Sequence, residues 1–249
     1  MSATARITSV RSVHVVVPAD IDDAAVPSGG NVYDRRVCRG LPASGWSVHE
    51  LAVAGAWPRP DTAASASLAR TLSTVPDGAV VLIDGLVACG VPHVVVPHAR
   101  RLRLVVLVHL PLGHEVGPAP GPAAELATLE RETLHAASAV VATSPWTARR
   151  LVANYGLAAD RVHVATPGAD PAPLAPGTDG GTRLLCLGSV TPTKGQDLLV
   201  EALATVADLP WSCDLAGPLR RDPAHVAAVR CAIKRHGLGE RVRLIGPRT

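Results

Sequence analysis

The sequence predicts an α/β protein with two domains, each built on a parallel β-sheet between helices. Three observations support this class. Short runs rich in Val, Leu and Ile alternate with longer helical patterns along most of the 249 residues. The runs are almost continuously apolar, as expected for strands buried on both faces of a parallel sheet. A Pro- and Gly-rich stretch at 167–181 interrupts the alternation, which then restarts.

The first domain is predicted to span residues 1–166. Its strands are expected at 12–17, 47–53, 79–83, 103–108, 139–143 and 161–165. Its helices are expected at 30–41, 61–74, 122–136 and 145–155. The last helix has the clearest ends, because Ser144 suits an N-cap, Pro145 the first helical position and Gly156 the C-terminal stop.

Residues 182–249 are predicted to form the second domain, with 167–181 as a linker. Its strands are expected at 183–188, 211–216 and 241–245, and its helices at 194–207 and 223–236. Thr193 and Gln196 have the spacing of a capping box for the first helix. The residues expected on its buried face are Leu198, Leu199, Ala202, Leu203 and Val206.

Three strands leave the second sheet with an open edge and too small a core for a domain of this type. We therefore expect the second domain to be incomplete, as part of a longer parent chain. Self-association through the unfinished edge is the expected consequence.

The composition argues against nucleic acid as a partner and against a membrane-spanning segment. The net charge of +3 is small and evenly spread, and basic residues are not interleaved with aromatic ones, so no nucleic acid is expected. The most apolar stretch, 80–96, is interrupted by Asp84 and cannot span a membrane. We expect a soluble cytoplasmic protein, and the sequence leaves a peripheral contact with a membrane open.

Two strand-to-helix turns are candidate ligand sites, because ligands of open α/β sheets bind beyond the carboxyl ends of strands. Gly29 and Gly30 allow close backbone approach at a helix start, where free N–H groups favour an anion. Lys194 is one of only two lysines among 24 Lys and Arg, and it is predicted on the first turn of a helix. Its ammonium could reach a phosphate there, with Gly195 leaving the surface uncrowded. A flexible turn and a solvated lysine are the alternatives.

Other chemistries find little support. Neither GxGxxG nor GxxxxGK[ST] occurs, which disfavours an NAD-dependent oxidoreductase and a P-loop enzyme. Asp20 and Asp22 spell DxD, but they follow the first strand directly. The five cysteines form no CxxC pair, and His93, His98, His109 and His114 include no pair at helical spacing. No metal site is expected.

Three segments in order resemble retaining GT-B glycosyltransferases of the glycosyl transferases group 1 family, which have two Rossmann-like domains. They are SGGNVYDRRVCRGLPASGWSVHEL at 28–51, VVATSPWTARRLVANYGLAADRVHVATPGAD at 140–170 and LLCLGSVTPTKGQDLLVEAL at 184–203. The resemblance covers residues 10–249. It implies a hexosyltransferase that moves a sugar from a nucleotide diphosphate sugar to an unidentified acceptor with retention of configuration. No cofactor is implied, since the nucleotide sugar is a co-substrate.

The resemblance also implies roles for individual residues. Lys194 and Gly195 would bind the donor diphosphate, with Ser189 where the family usually has an arginine. Gly29 and Gly30 would lie beside the reacting phosphate and sugar, and His109 would be the catalytic residue near the transferred sugar. Ser189, and an E-x7-E segment expected beyond residue 249, favour an alternative: a non-catalytic nucleotide-sugar or phospho-ligand binding module, as a pseudoenzyme or a fragment.

Overall fold

The computed structural model describes residues 11–25, 27–115, 120–177 and 179–248, and it confirms the α/β class. Two compact units each contain one parallel sheet. The main break between them follows Pro167, and the short segment Asp22–Asn31 groups with the second unit. The domain limits at 166 and 182 and the linker between them stay predictions.

The first unit contains a six-stranded parallel sheet in the order β2-β1-β3-β4-β5-β6. Its strands are β1 (Arg11–Pro18), β2 (Trp46–Val53), β3 (Val80–Asp84), β4 (Arg103–Val108), β5 (Ala139–Ala142) and β6 (Val162–Val164). The helices that lie wholly or mainly in this unit, or begin in it, are α1 (Gly29–Gly40), α2 (Thr62–Thr74), α3 (Gly85–Ala88), α4 (Pro92–Val95), α5 (Leu112–Glu115), α6 (Pro120–Ala136) and α7 (Pro145–Tyr155).

The core of this unit lies along the middle strands. Val16 on β1, Ile83 on β3 and Val106 on β4 are fully buried, and Leu68 and Leu72 of α2 are buried as well. Burial of the central strands removes their apolar surface from water, which is the main favourable contribution to folding.

The predicted ends of α7 are confirmed. The Ser144 hydroxyl accepts a hydrogen bond from the Thr147 N–H, and Pro145 is the first helical residue. Gly156 ends the helix in the left-handed conformation, with φ at 69°. These signals are local, so the sequence alone was enough to place them.

The two short helices α3 and α4 correct the sequence analysis, which placed no helix between residues 83 and 103. Asp84 caps α3, since its carboxylate accepts a hydrogen bond from the Leu86 N–H, and Pro92 opens α4. Both helices are four residues long and mostly buried. Helices this short and mostly buried show no amphipathic period, so the sequence pattern did not indicate them.

The second unit contains a three-stranded parallel sheet in the order β7-β8-β9. Its elements are β7 (Arg183–Leu187), α8 (Gln196–Ala204), β8 (Ser212–Ala216), α9 (Pro223–Arg235) and β9 (Val242–Gly246). Val200, Val229 and Leu215 lie in its core. That this sheet is incomplete stays a prediction.

Two expectations for this unit are wrong. Leu185 and Leu187 of β7 are 68% and 75% exposed, although the strand was predicted to be buried on both faces. The reason is position, because β7 is the edge strand and β8 is its neighbour in the described sheet. Leu198 of α8 is 71% exposed and Ala202 is also exposed, whereas Val200, which was not assigned to the buried face, is fully buried. Leu203 is buried as predicted, so the apolar face of α8 was only partly assigned correctly.

Within the described residues, no helix is both long enough and apolar enough to cross a lipid bilayer.

Candidate functional site

The first candidate site lies where β4 ends. His109 directly follows β4, and its Nε2 lies 2.8 Å from Asp34 Oδ1 on α1. The Tyr33 ring meets the imidazole edge-on, with ring centroids 5.3 Å apart. The Tyr33 hydroxyl donates a hydrogen bond to the Ala165 carbonyl, 2.8 Å away. The histidine predicted at the site is therefore held between two consecutive residues of α1.

A second acid completes this group. Asp84 is the last residue of β3, and its neighbour in the register of β4 is Leu107, two residues before His109. The ligating atoms of Asp34, Asp84 and His109 all lie within 4.8 Å of one another. Asp34 is 3% exposed and Asp84 is 5% exposed, so two carboxyl groups are buried side by side. We call these three residues the acid–histidine cluster.

Burial controls the charge of this cluster. Burial first, and then the Asp34 charge, raise the pKa of Asp84 to about 7 against the opposing effect of His109. Among the described residues, Asp34 Oδ2 is buried and has no hydrogen-bond donor. Two ionised carboxylates cannot donate to each other, whereas a protonated Asp84 can donate to Asp34. The raised pKa and the missing donor therefore point to the same protonated state.

A metal ion is the other means of neutralising two acids, and these three residues are of the types that could hold one. His109 Nε2 and Asp34 Oδ1 are at hydrogen-bond distance from each other. Asp84 Oδ1 already accepts the Leu86 N–H at 2.8 Å. That the cluster holds no metal stays a prediction.

Glu130 of α6 supports the turn after His109. It is 1% exposed, and its carboxylate accepts hydrogen bonds from the Leu112 N–H at 2.9 Å and from the Tyr155 hydroxyl at 2.6 Å. Leu112 opens α5, three residues after His109. Glu130 therefore ties the chain beyond β4 to α6 and to the end of α7.

Gly29 and Gly30 are the first two residues of α1. Gly30 precedes Asp34 by four residues, so the two lie on one face of the helix. A Cβ atom built on Gly29 would meet no atom within 4 Å, which leaves room beside the helix start. The predicted anion contact of this glycine pair stays a prediction.

The second candidate site is the turn at residues 188–195 in the second unit, which we call the Lys194 turn. The structure corrects its geometry. Lys194 does not lie on the first turn of α8: it ends a separate 3₁₀ turn, Pro192–Lys194. Gly195 follows in the left-handed conformation with φ at 66°, and α8 begins at Gln196. The left-handed residue between the two helical turns is the reason that the helix starts later than predicted.

The predicted capping box is also wrong. Gly195 is the N-cap of α8, and no side chain caps the helix. The Gln196 amide instead donates a hydrogen bond to the Ser189 carbonyl, 3.0 Å away, and the Thr193 hydroxyl lies 3.2 Å from that of Thr191. Gln196 is nearly fully buried, so its side chain turns inward to fix the loop after β7.

Lys194 nevertheless lies at the carboxyl end of the second sheet. A Cβ atom built on Gly188, the residue after β7, would lie 3.7 Å from Lys194 Cγ and Cδ, so the lysine stem passes over this glycine. A Cβ atom on Gly217, the residue after β8, would lie 2.0 Å from the Gly188 carbonyl oxygen. Lys194 itself is exposed. No carboxylate of the residues that the structure describes lies within ion-pair distance of its ammonium.

The structure therefore brings the predicted residues together in two groups. Ser189, Lys194 and Gly195 share one turn of the second unit, and His109 contacts the helix that Gly29 and Gly30 open. The sequence analysis missed three residues, which are Asp34, Asp84 and Glu130. A signal for Asp84 was available, since an acid directly after a buried strand lies at the ligand-binding end of a sheet.

Part of the chain is similar to a known protein family. Residues 73–173 match the family named Glycosyltransferase Family 4. This matched segment contains Asp84, His109 and Glu130.

Two relatives extend the match. D-inositol 3-phosphate glycosyltransferase 1 of Catenulispora acidiphila is 34% identical over 179 residues, which are 64% of this chain and 40% of the relative. D-inositol 3-phosphate glycosyltransferase of Jonesia denitrificans is 28% identical over 152 residues, which are 53% of this chain and 35% of the relative. The chain thus spans well under half the length of these relatives.

Solved structures share the fold. A glycosyltransferase from Rickettsia africae superposes with a TM-score of 0.61 at 16% identity, covering 97% of this chain and 69% of that chain. Anabaena HepE, crystallised in complex with UDP-glucose, gives a TM-score of 0.64 at 17% identity, covering 96% and 69%. The prediction of a GT-B-like fold is confirmed.

Proposed function

We propose that this chain is part of a glycosyltransferase that moves a sugar from a nucleotide diphosphate sugar to an acceptor, with retention of configuration. The observation that carries the proposal is the family match over residues 73–173, the segment that holds His109 and Asp84. The relatives are named as glycosyltransferases, and HepE was crystallised with UDP-glucose.

The Lys194 turn supports the donor side of this proposal. The lysine stem packs on Gly188, so the exposed ammonium is held near the carboxyl ends of β7 and β8. Ligands of parallel sheets bind at this end. As the bond between the sugar and the diphosphate breaks, negative charge grows on the leaving diphosphate, and an ammonium fixed beside it stabilises that charge.

Ser189 lies in the same turn and supplies a hydroxyl where a second cation is usual in the resembled family. Because Ser189 carries no positive charge, binding of the diphosphate would depend more strongly on Lys194. Gly195 has no side chain to obstruct the approach of the phosphates, and its left-handed conformation favours glycine there.

His109 is proposed to contact the transferred sugar. Its ring is fixed by the hydrogen bond to Asp34 and by the edge of Tyr33, so it would meet a ligand with little loss of side-chain freedom. The N–H groups at the start of α1, beside Gly29 and Gly30, would supply further positive potential.

Removal of the Lys194 ammonium tests the donor site. In the full natural protein, UDP or GDP should bind more tightly than uridine or guanosine, and Lys194→Ala should remove most of that difference. A charge-assisted contact contributes about 1.5–3 kcal/mol, which is about tenfold to a hundredfold in affinity. Lys194→Arg should recover only part of it, because the planar guanidinium is bulkier than an ammonium. Calorimetric titration measures each affinity.

Lys234 provides the control, since it is the other lysine of the chain and is exposed late on α9. Lys234→Ala should leave all four affinities unchanged. Equal diphosphate affinity in wild type and Lys194→Ala would refute the donor site.

The reaction itself is tested with UDP- and GDP-sugars and with D-inositol 3-phosphate as the first acceptor, because two relatives are named for it. Release of nucleoside diphosphate that depends on an acceptor, with an unchanged anomeric configuration in the product by NMR, is the expected result. An inverted anomeric configuration in the product would contradict retention but not the transfer of the sugar.

A further inference from the structure

We infer that Asp34 and Asp84 share one proton, and that this carboxyl pair is a positioning device that holds His109 in its Nε2–H tautomer. Its significance for sugar transfer rests on the function proposed above, whereas the protonation state itself can be measured without any substrate. Asp34 and Asp84 are positioning residues in this inference, since they act through His109.

The geometry requires a donor between the two acids. Asp34 Oδ1 faces His109 Nε2, and Asp34 Oδ2 is buried without a donor among the residues that the structure describes. Asp84 Oδ1 accepts the Leu86 N–H, so its other oxygen is the atom that can carry a proton. The hydroxyl of a protonated Asp84 is the donor that Asp34 lacks. Without it, a buried acceptor would stay unsatisfied beside a second buried charge.

The surrounding charges agree with one shared proton. The groups that act on Asp84 are Asp34, which favours its proton, and His109, which opposes it. Other titratable neighbours are thiols and a phenol: Cys89 feels the Asp84 charge, and Cys38 and Tyr33 feel the Asp34 charge. Burial raises the pKa of each of these three groups.

Other charged groups act on the cysteines next to the pair. Arg35 of α1 forms a salt bridge with Glu50 of β2, and both act on Cys38. Glu130 acts on Cys89 together with Asp84. With the shared proton on Asp84, the remaining negative charge of the pair lies on Asp34.

The consequence for His109 is a fixed tautomer. A charged Asp34 accepts the Nε2–H bond, so the neutral imidazole has its proton on Nε2, and Nδ1 is the acceptor nitrogen. When the shared proton leaves, a second negative charge appears next to the ring. The cluster therefore couples the ionisation of Asp84 to the electronic state of His109.

The test is long-range ¹H–¹⁵N NMR of the full natural protein between pH 5 and 9. Loss of signals in His109→Gln assigns the ring. Wild type should show the Nε2–H pattern and a change in both nitrogen shifts with a midpoint near the Asp84 pKa of about 7. Asp84→Asn should keep the tautomer and abolish that change, because its amide can donate to Asp34 Oδ2 permanently. Asp34→Ala should lose the tautomer preference.

Asp61→Asn is the matched control, since Asp61 caps α2 as Asp84 caps α3, but it is exposed. It should leave the His109 shifts as in wild type. The inference is overturned if the change persists in Asp84→Asn, if neutral His109 carries its proton on Nδ1, or if metal analysis finds a stoichiometric divalent ion that Asp84→Asn loses. None of these outcomes depends on sugar transfer, so failure of the proposed function would be seen separately.

Discussion

Glu130→Ala is expected to lower the free energy of unfolding by about 2–4 kcal/mol. The variant leaves the buried Leu112 N–H and the part-buried Tyr155 hydroxyl without their acceptor. Each orphaned donor costs about 1–3 kcal/mol, and removal of a buried carboxylate offsets part of that loss. Urea denaturation followed by circular dichroism measures the change, with the slope m reporting whether the transition stays two-state.

Two further variants separate the contributions. Glu130→Gln keeps one acceptor oxygen and should lose less stability than Glu130→Ala. Glu132→Ala, an exposed change on the same helix, should stay within about 0.5 kcal/mol of wild type. A Glu130→Ala protein no less stable than Glu132→Ala would show that Glu130 does not stabilise the turn after His109.

Asp84→Asn is expected to stabilise the protein, by an amount that grows with pH. Burial raises the pKa of Asp84 from 3.8 to about 7. Between these two values the folded state holds a proton that the unfolded state has lost, so the stability of wild type falls as pH rises across this window. Asn carries no charge, so the stability of Asp84→Asn does not fall in this way as pH rises. Its oxygen can still accept the Leu86 N–H, and its amide can donate to Asp34.

The free energy of unfolding of Asp84→Asn should exceed that of wild type by a small amount near pH 4. The difference should rise to about 2–4 kcal/mol at pH 8 and then stay constant. Urea denaturation at a series of pH values measures it in both proteins. Asp61→Asn makes the same substitution at the exposed cap of α2 and should show no comparable rise. A pH-independent difference between Asp84→Asn and wild type would contradict the assignment of the buried proton to Asp84.

Local sequence was sufficient for most of the fold. Alternating apolar strands and helical patterns predicted each of the strands found in the described residues, and Ser144, Pro145 and Gly156 predicted both ends of α7. These features depend on neighbours a few residues apart, whose side chains compete for the same backbone N–H and C=O groups. The lysine at 194 was also recognisable, because its residue type is rare in this chain.

The start of α8 shows where local signals were misleading. Thr193 and Gln196 have the spacing of a capping box, yet the Gln196 amide donates to Ser189 and the helix begins after Gly195. The buried Gln196 side chain needs a hydrogen-bond partner, and its bond to the part-buried Ser189 carbonyl replaces the local cap. The phase of the apolar face, and with it the exposure of Leu198, follows from that shift.

The acid–histidine cluster depends on long-range packing. Asp34 and His109 are separated by 75 residues in the sequence. The sequence analysis gave no functional role to Asp34 or to Asp84. Asp34 and His109 meet Asp84 because β3 pairs with β4 in the sheet, which aligns the ends of the two strands, and because α1 contributes Asp34 at that edge. Strand order and helix placement are set by the burial of the whole apolar core, which has no signature in any short segment. The same packing excludes water from the two carboxyl groups, and that exclusion is what makes one of them hold a proton.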